Sequence, residues 1–322
     1  MLKTFEQTAA LIAENKLLHI SGTESLLRRL PKGNWIGGST EYSMEENGGQ
    51  VSDSLLNVHE LNFDDYRFAS YDAGTLEAIP GEAYPNGFSI VILPFDSEVH
   101  KRYAQNAANY EGIFLKNIVG WISGFNLNAT GQTPVAANGV TGEVFTDRAV
   151  VLHIGLPEDK TVQINIVNIF SPDAKSPLIT FGEEGFSART CFVDGKEVVF
   201  SDYIAENHLD TKIPLIGDYS GAGINISIKS VADGVVHFYA PVFKGIDYRF
   251  AENIPDYVSA FHREIEKLDV KPEFACNCIL NFLYGGLEGK NLGGFYGPIT
   301  FGEIAWQLLN QTLVYLQIIQ GA

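Results

Sequence analysis

Thr190-Cys-Phe-Val-Asp-Gly-Lys-Glu-Val-Val-Phe200 decides the fold class. Two apolar runs flank Asp194-Gly195, a dipeptide that tolerates the left-handed backbone of a two-residue turn, so the segment reads as a β-hairpin. Downstream, Ile224 to Val231 and Val235 to Val242 read as a second hairpin across Ala232-Asp-Gly234. A helix follows, with Ile254, Val258, Phe261, Ile265 and Leu268 on one side and Pro272 as its stop. Phe274 to Phe282 returns as a strand, and Thr312 to Ile319 closes the chain as another. Two hairpins, one helix and two closing strands make an α+β unit.

Upstream the pattern is similar but less regular. The first 30 residues read as helix, with Leu2, Phe5, Ala9 and Ile12 at near-helical spacing. Asn34 to Thr40 is strand-like, and a Gly-rich acidic loop spans Glu45 to Gln50. Leu55 to Phe63 and Phe88 to Leu93 read as strands, the second a continuous buried run closed by Pro94. Ser97 or Asp96 caps a helix whose apolar stripe is Val99, Tyr103, Ala107, Tyr110 and Phe114. Val119 begins a strand that gives way to a polar loop reaching Thr133. Val144 to Leu156 and Val162 to Phe170 then read as an antiparallel pair. With no regular β-α-β alternation, the expectation is α+β: two mixed or antiparallel β-sheet lobes with flanking helices, packed sheet on sheet. Ser171-Pro-Asp-Ala-Lys-Ser-Pro177 is the linker-like stretch, giving lobes of residues 1–175 and 176–322.

Composition bounds the function. Hydrophobic residues make up 45% of the 322, enough for a sizeable core. Lys and Arg number 22 against 39 Asp and Glu, a formal charge of -17. Such a surface repels phosphate backbones and anionic lipid, so neither nucleic acid nor membrane is expected as a partner. The first 16 residues carry Glu6 and Glu14 and lack the features of a signal peptide. Cys191, Cys276 and Cys278 are odd in number, which points to reduced thiols and a cytoplasmic location.

Common catalytic signatures are absent: no phosphate-binding Gly-x-x-x-x-Gly-Lys, no His-Glu-x-x-His and no Gly-x-Ser-x-Gly. None of the seven histidines sits four residues from another, so a preformed metal site has no support. His153 and His237 fall within apolar strands, where a hydrogen-bonded core histidine is the ordinary outcome. Cys276 and Cys278 share a strand face, with Asn277 on the other. Were the chain an enzyme, one of these thiols would be its nucleophile, in a hydrolase. No base lies nearby in sequence, and no catalytic residue is assigned. The densest candidate cluster is Asn291 to Ala305. There Gly293, Gly294 and Gly302 let backbone approach closely, Thr300 and Glu303 offer a hydroxyl and a carboxylate, and Phe295, Tyr296 and Phe301 supply apolar walls.

Several of these residues resemble a known family. Asp194-Gly-Lys-Glu197, Ile213-Pro-Leu-Ile-Gly217, Phe274-Ala-Cys-Asn-Cys278, Gly293-Gly-Phe-Tyr296, Phe301-Gly-Glu-Ile304 and Asn310-Gln-Thr312 follow in an order similar to the carboxy-terminal FIST domain. That domain is named for F-box and intracellular signal transduction proteins. The likeness covers roughly residues 190 to 320, and Trp35-Ile-Gly-Gly-Ser-Thr40 resembles its early glycine-threonine strand. The resemblance implies a cytoplasmic sensor of small ligands such as amino acids. A separate signalling chain would be its partner, since no signalling module is attached. Some relatives bind haem; no axial ligand transfers by motif, so no cofactor is assigned and haem stays an alternative.

The expected function is a non-enzymatic sensory module. Gly293, Gly294, Tyr296, Thr300, Gly302, Glu303 and Asn277, with Gly38 and Thr40, would line a ligand pocket, Glu303 meeting an amine. The alternatives are a cysteine-dependent hydrolase through Cys276 or Cys278, a haem-based gas sensor, and a structural assembly protein acting as a homodimer.

Overall fold

A computed structural model of the chain describes residues 1–265, 267–268 and 270–321. Contacts divide it into two compact units: Met1–Val167 with His262–Leu308 and Thr312–Ala322, and Asn168–Phe261 with Leu309–Gln311. The chain leaves the first unit after Val167 and returns at His262, because its closing strands pair there. The Ser171–Pro177 stretch lies at the start of the second unit.

The elements that build the first unit's centre are β1 (Leu17–Gly22), α1 (Glu24–Arg29), β2 (Trp35–Ser39), β3 (Gly87–Pro94), α2 (Glu98–Asn106) and β4 (Ile118–Ser123). They form two β-α-β units, since β1 runs parallel to β2 and β3 parallel to β4. All eight residues of β3 are buried. β4 and the strand Ala149–Gly155 pair with its two edges, and β2 packs on one of its faces, Gly38 against Ile92. A Val/Ile-rich run suits a strand with no solvent-facing side. The α2 helix begins at Ser97, whose hydroxyl accepts from the His100 N–H at 3.2 Å, and buries Val99 and Tyr103.

The return segment adds β5 (Phe274–Cys278), α3 (Ile279–Tyr284), β6 (Gly297–Thr300), β7 (Glu303–Ala305) and β8 (Leu313–Gln320). β7 extends the β3–β4 sheet, pairing antiparallel with β4. β5, β6 and β8 belong to a further mixed sheet. The β1–β2 and β3–β4 sheets pack face to face: Trp121 of β4 donates its indole N–H to His19 Nε2 of β1 at 2.8 Å. Indole can only donate, so that ring nitrogen is unprotonated, and burial pushes the His19 pKa down to about 3. In the second unit a six-stranded and a three-stranded sheet enclose Phe181, Phe200, Phe238 and Tyr248, whose rings meet edge-on or tilted.

The α+β reading holds, with antiparallel and mixed sheets and flanking helices. The Thr190–Phe200 hairpin is as expected, with Asp194 at φ 47° and Gly195 at φ 81°. Four local expectations need correction. The first 30 residues are not continuous helix: Asn15, at φ 59°, ends Phe5–Ala13, and the buried run of β1 follows. The Glu45 to Gln50 loop is a hairpin of Tyr42–Glu45 with Gly48–Val51. The strands Ala149–Gly155 and Lys160–Val167 do not pair with each other; the second pairs with β8. Phe274 to Phe282 is strand only to Cys278 and then turns into α3. Among the described residues no helix is long and apolar enough to cross a membrane.

Gly38 shows how tightly the sheets approach. A Cβ there would lie 2.7 Å from both Ile92 and Trp121, closer than packed carbons allow. Gly38→Ala should therefore lower unfolding free energy by about 1–3 kcal/mol in urea titration. An unchanged midpoint would show that the sheets separate easily.

Candidate functional site

The parallel strands end together. β1 stops at Gly22, where Thr23 caps α1 by accepting from the Leu26 N–H; β2 stops at Ser39 and β4 at Ser123. The Thr40 N–H donates to the Gly22 carbonyl at 3.0 Å, tying the first two ends. Ser39 holds the third. Its N–H donates to Val135 O at 2.9 Å and its carbonyl accepts from Gly124 N at 2.6 Å. Its hydroxyl donates to Gly124 O at 2.7 Å and accepts from Val135 N at 2.9 Å. One buried serine thus fastens both ends of the 124–135 loop.

That loop covers a second anchor. Glu41 is 7% exposed. Asn126 donates to its Oε2 at 2.6 Å and Gln132 to its Oε1 at 2.8 Å. The two amides are coupled in turn, the Asn126 N–H donating to Gln132 Oε1 at 2.8 Å. Tyr42 adds a tie, its hydroxyl donating to Asn126 Oδ1 and accepting from Leu127 N. No described Lys or Arg lies within ion-pair distance of Glu41.

Between strand ends and loop lies a cavity of about 360 Å³. Hydroxyls of Thr23, Ser25, Ser39, Thr40 and Thr133 border it, as do the carboxylates of Glu24, Glu41 and Asp53. Ligands of open α/β sheets bind in the crevice beyond the carboxyl ends of parallel strands, and this cavity has that address. Its size lies at the lower end of the roughly 300–1,000 Å³ typical of small-molecule pockets.

Of the nine residues singled out from sequence, Thr40 borders this cavity. Gly38 lies against β3 and β4, while Gly293 and Tyr296 are exposed in the turn before β6. Gly294 is half-buried there, at φ 99°. Asn277, Thr300 and Glu303 are brought together in the core, with Gly302 in the link between β6 and β7. Glu303 is 0% exposed. The Thr300 hydroxyl lies 2.8 Å from its Oε1, and Thr312 donates to Oε2 through its hydroxyl at 2.9 Å and its N–H at 3.3 Å. Burial pushes the carboxyl up to about 8, against the opposing pull of those hydrogen bonds and of Cys278. The site is therefore mostly protonated at neutral pH, and its partners are neutral.

Cys276, 2% exposed, donates its thiol hydrogen to Gly120 O, and burial raises its pKa well above the usual thiol value. Cys278 is 1% exposed. Neither thiol has the exposure of a nucleophilic cysteine. Asn277 accepts from Asn281 Nδ2 at 2.8 Å, while its own Nδ2 has no hydrogen-bond partner among the described residues.

A serine-histidine pair escaped the sequence reading. Ser89 Oγ lies 2.8 Å from His153 Nδ1, and His153 Nε2 lies 3.0 Å from the Tyr71 hydroxyl, which donates to Glu82. Since the tyrosine proton goes to Glu82, His153 carries its proton on Nε2 and accepts the serine proton on Nδ1. The arrangement resembles a nucleophile with its base, but Ser89 and His153 are both 0% exposed. Burial also pulls the histidine to about 4. It is a satisfied core network, as expected of a strand histidine. Glu41, Asn126 and Gln132 were also missed, because each is unremarkable locally and gains meaning from partners across the fold; Asp53 was missed because only the fold brings it to the cavity.

A family model described as a family of unknown function, DUF6976, matches residues 3–319. This overturns the resemblance to the FIST domain: the match spans nearly the whole chain and is to a different family. The short motifs misled because their order is loosely constrained, and Gly293-Gly-Phe-Tyr296 is an exposed turn running into a strand rather than a site. No curated protein matches the chain.

The Glu303 carboxyl makes a signed prediction. Its folded pKa is raised, so between about 4.5 and 8 the folded chain holds a proton that the unfolded chain releases, and stability falls as pH rises. The lowered pKa values of His19 and His153 act oppositely, raising stability only up to their unfolded value of 6.5. From pH 6.5 to 8 the carboxyl effect stands apart from both. Burial lowers the Met1 amine from its usual 8.0 and so works against the carboxyl in that window, and the comparison with a variant isolates Glu303: relative to Glu303→Gln, wild type should lose stability from pH 6.5 to 8 in thermal melts. Parallel curves would mean that Glu303 is ionised in the fold.

Proposed function

We propose that this chain, which belongs to a family of unknown function, is a non-enzymatic module that binds a small polar molecule in the cavity at its parallel strand ends. The supporting observation is the position of that cavity. Three strand termini, Gly22, Ser39 and Ser123, are locked by backbone hydrogen bonds beside it, so its wall is set before any ligand arrives. Preformed walls reduce the ordering cost of binding. The Ser39 and Thr40 hydroxyls are held within the fold, leaving those of Thr23, Ser25 and Thr133 at the cavity, and the lining includes neither cysteine nor histidine.

A sensory role follows from the loop. Residues 124–135 are stapled at both ends to Ser39, and between the staples Asn126 and Gln132 grip Glu41. A ligand that hydrogen-bonds Glu41 would compete with or reinforce those amides. Occupancy would change the loop's outer surface, which a separate signalling chain could read. In this reading the protein works in the cytoplasm, with amino acids and small amines as the natural ligand range.

Thermal-shift screening against amino acids, amines, sugars and small carboxylates tests the proposal, with Ser25→Trp as the control. Ser25 is exposed at the cavity edge, so an indole there fills the opening while the core stays intact. At least one compound class should raise the wild-type melting temperature and leave Ser25→Trp unmoved. No shift in wild type across all four classes, or equal shifts in both proteins, would defeat the assignment.

A further inference from the structure

The charge of the ligand can be read from the cavity wall, on the premise that the strand-end cavity is the ligand site proposed above. We infer that its occupant is a small organic cation, an amine carrying hydroxyl groups, rather than an amino acid zwitterion, an anion or a metal ion. The first support is Glu41. A carboxylate that is 7% exposed normally has a cation beside it, because burying unpaired charge is costly. Here its oxygens meet the neutral amides of Asn126 and Gln132, and no described cation pairs with it. Amides satisfy hydrogen bonds without neutralising charge, and each carboxylate oxygen retains a further acceptor site.

The rest of the wall agrees. Glu24 and Asp53 join Glu41 around the cavity, while its lining includes no Lys or Arg. Glu24 is partly neutralised by Arg28 at 2.7 Å, but the Asp53 carboxylate forms no ion pair or hydrogen bond among the described residues. A ligand carboxylate would enter this field without a basic side chain to meet it, in a chain of net charge -17. That disfavours anions and zwitterions.

A metal ion is disfavoured by spacing. Among the described residues no three His, Cys, Asp or Glu side chains lie close enough to hold one. The charge must therefore be carried by a body large enough to bridge separated groups in about 360 Å³. Thr133, exposed at the rim of the same space, adds a hydroxyl within reach of a ligand with polar substituents.

The test is calorimetric titration of wild type, Glu41→Gln and Ser25→Trp with five compounds: 2-aminoethanol, glycine, glycolate, glycerol and magnesium chloride. The expected result is binding of 2-aminoethanol to wild type, weakened by added salt, at least about tenfold weaker in Glu41→Gln and absent in Ser25→Trp. Should Glu41→Gln fail to fold, Asp53→Asn, an exposed change, should weaken 2-aminoethanol severalfold and leave glycerol unaffected. Glycine, glycolate or glycerol binding as tightly as 2-aminoethanol, and lost in Ser25→Trp, would overturn the cation inference while leaving the cavity as a ligand site. Magnesium competing with 2-aminoethanol would overturn the organic class. No binding of any compound to wild type would overturn this inference, and if the broader thermal screen still finds a ligand, the cavity assignment survives it.

Discussion

Ser39 uses every polar group it has on two residues. Its N–H and hydroxyl engage Val135, its carbonyl and hydroxyl engage Gly124, and it is 4% exposed. These four hydrogen bonds fix the end of β2 to the end of β4 and set the base of the 124–135 loop. The strand-end cavity, the Glu41 clamp and the proposed reporter surface all presuppose this clasp. A net contribution of about 1 kcal/mol per hydrogen bond is modest. The larger consequence is geometric, because a loop pinned at both ends to one serine can present Asn126 and Gln132 only to what lies directly beneath it.

Among the described residues the first unit buries three carboxyls, Glu41, Glu45 and Glu303; Glu45 meets the Met1 amine and Asn57, and the surroundings of the other two assign them different work. Glu303 sits in the core among Thr300, Thr312 and Cys278, with burial raising its pKa. It keeps its proton and acts as one more hydrogen-bonding group between β6, β7 and β8. Glu41 sits at the margin of a cavity, held by two amides and lacking a counter-ion among the described residues. A carboxyl enclosed by partners is structural; one that faces space with acceptor capacity left over is available to a ligand.

Much of the fold was legible because it rests on local pattern. The Gly87–Pro94 run, the Asp194-Gly195 hairpin, the Ser97 cap and the closing strand all declare themselves through apolar period, turn chemistry or capping. β1 was not legible, because Leu17-Leu-His-Ile20 follows a true helix without a proline and buried apolar runs suit either state. The site was legible in one residue, Thr40. Its other members lie at the start of α1, at the end of β2 and just after it, and in the loop after β4, and single-sequence reading has no means of placing Glu41 beside Gln132, 91 residues away. The glycine-rich Asn291 to Ala305 stretch drew attention by composition. Its polar members instead divide between an exposed turn and a filled core.

The charge assigned to the ligand of the strand-end cavity turns on whether that cavity holds a cation. A crystal structure determined in saturating 2-aminoethanol addresses that directly. Ligand density should then be bounded by Thr133 and Asp53, with the ammonium about 2.7–2.9 Å from a Glu41 oxygen and Ser39 still clasping both ends of the loop. An empty cavity at saturation, or density confined to the surface elsewhere, would contradict the assignment.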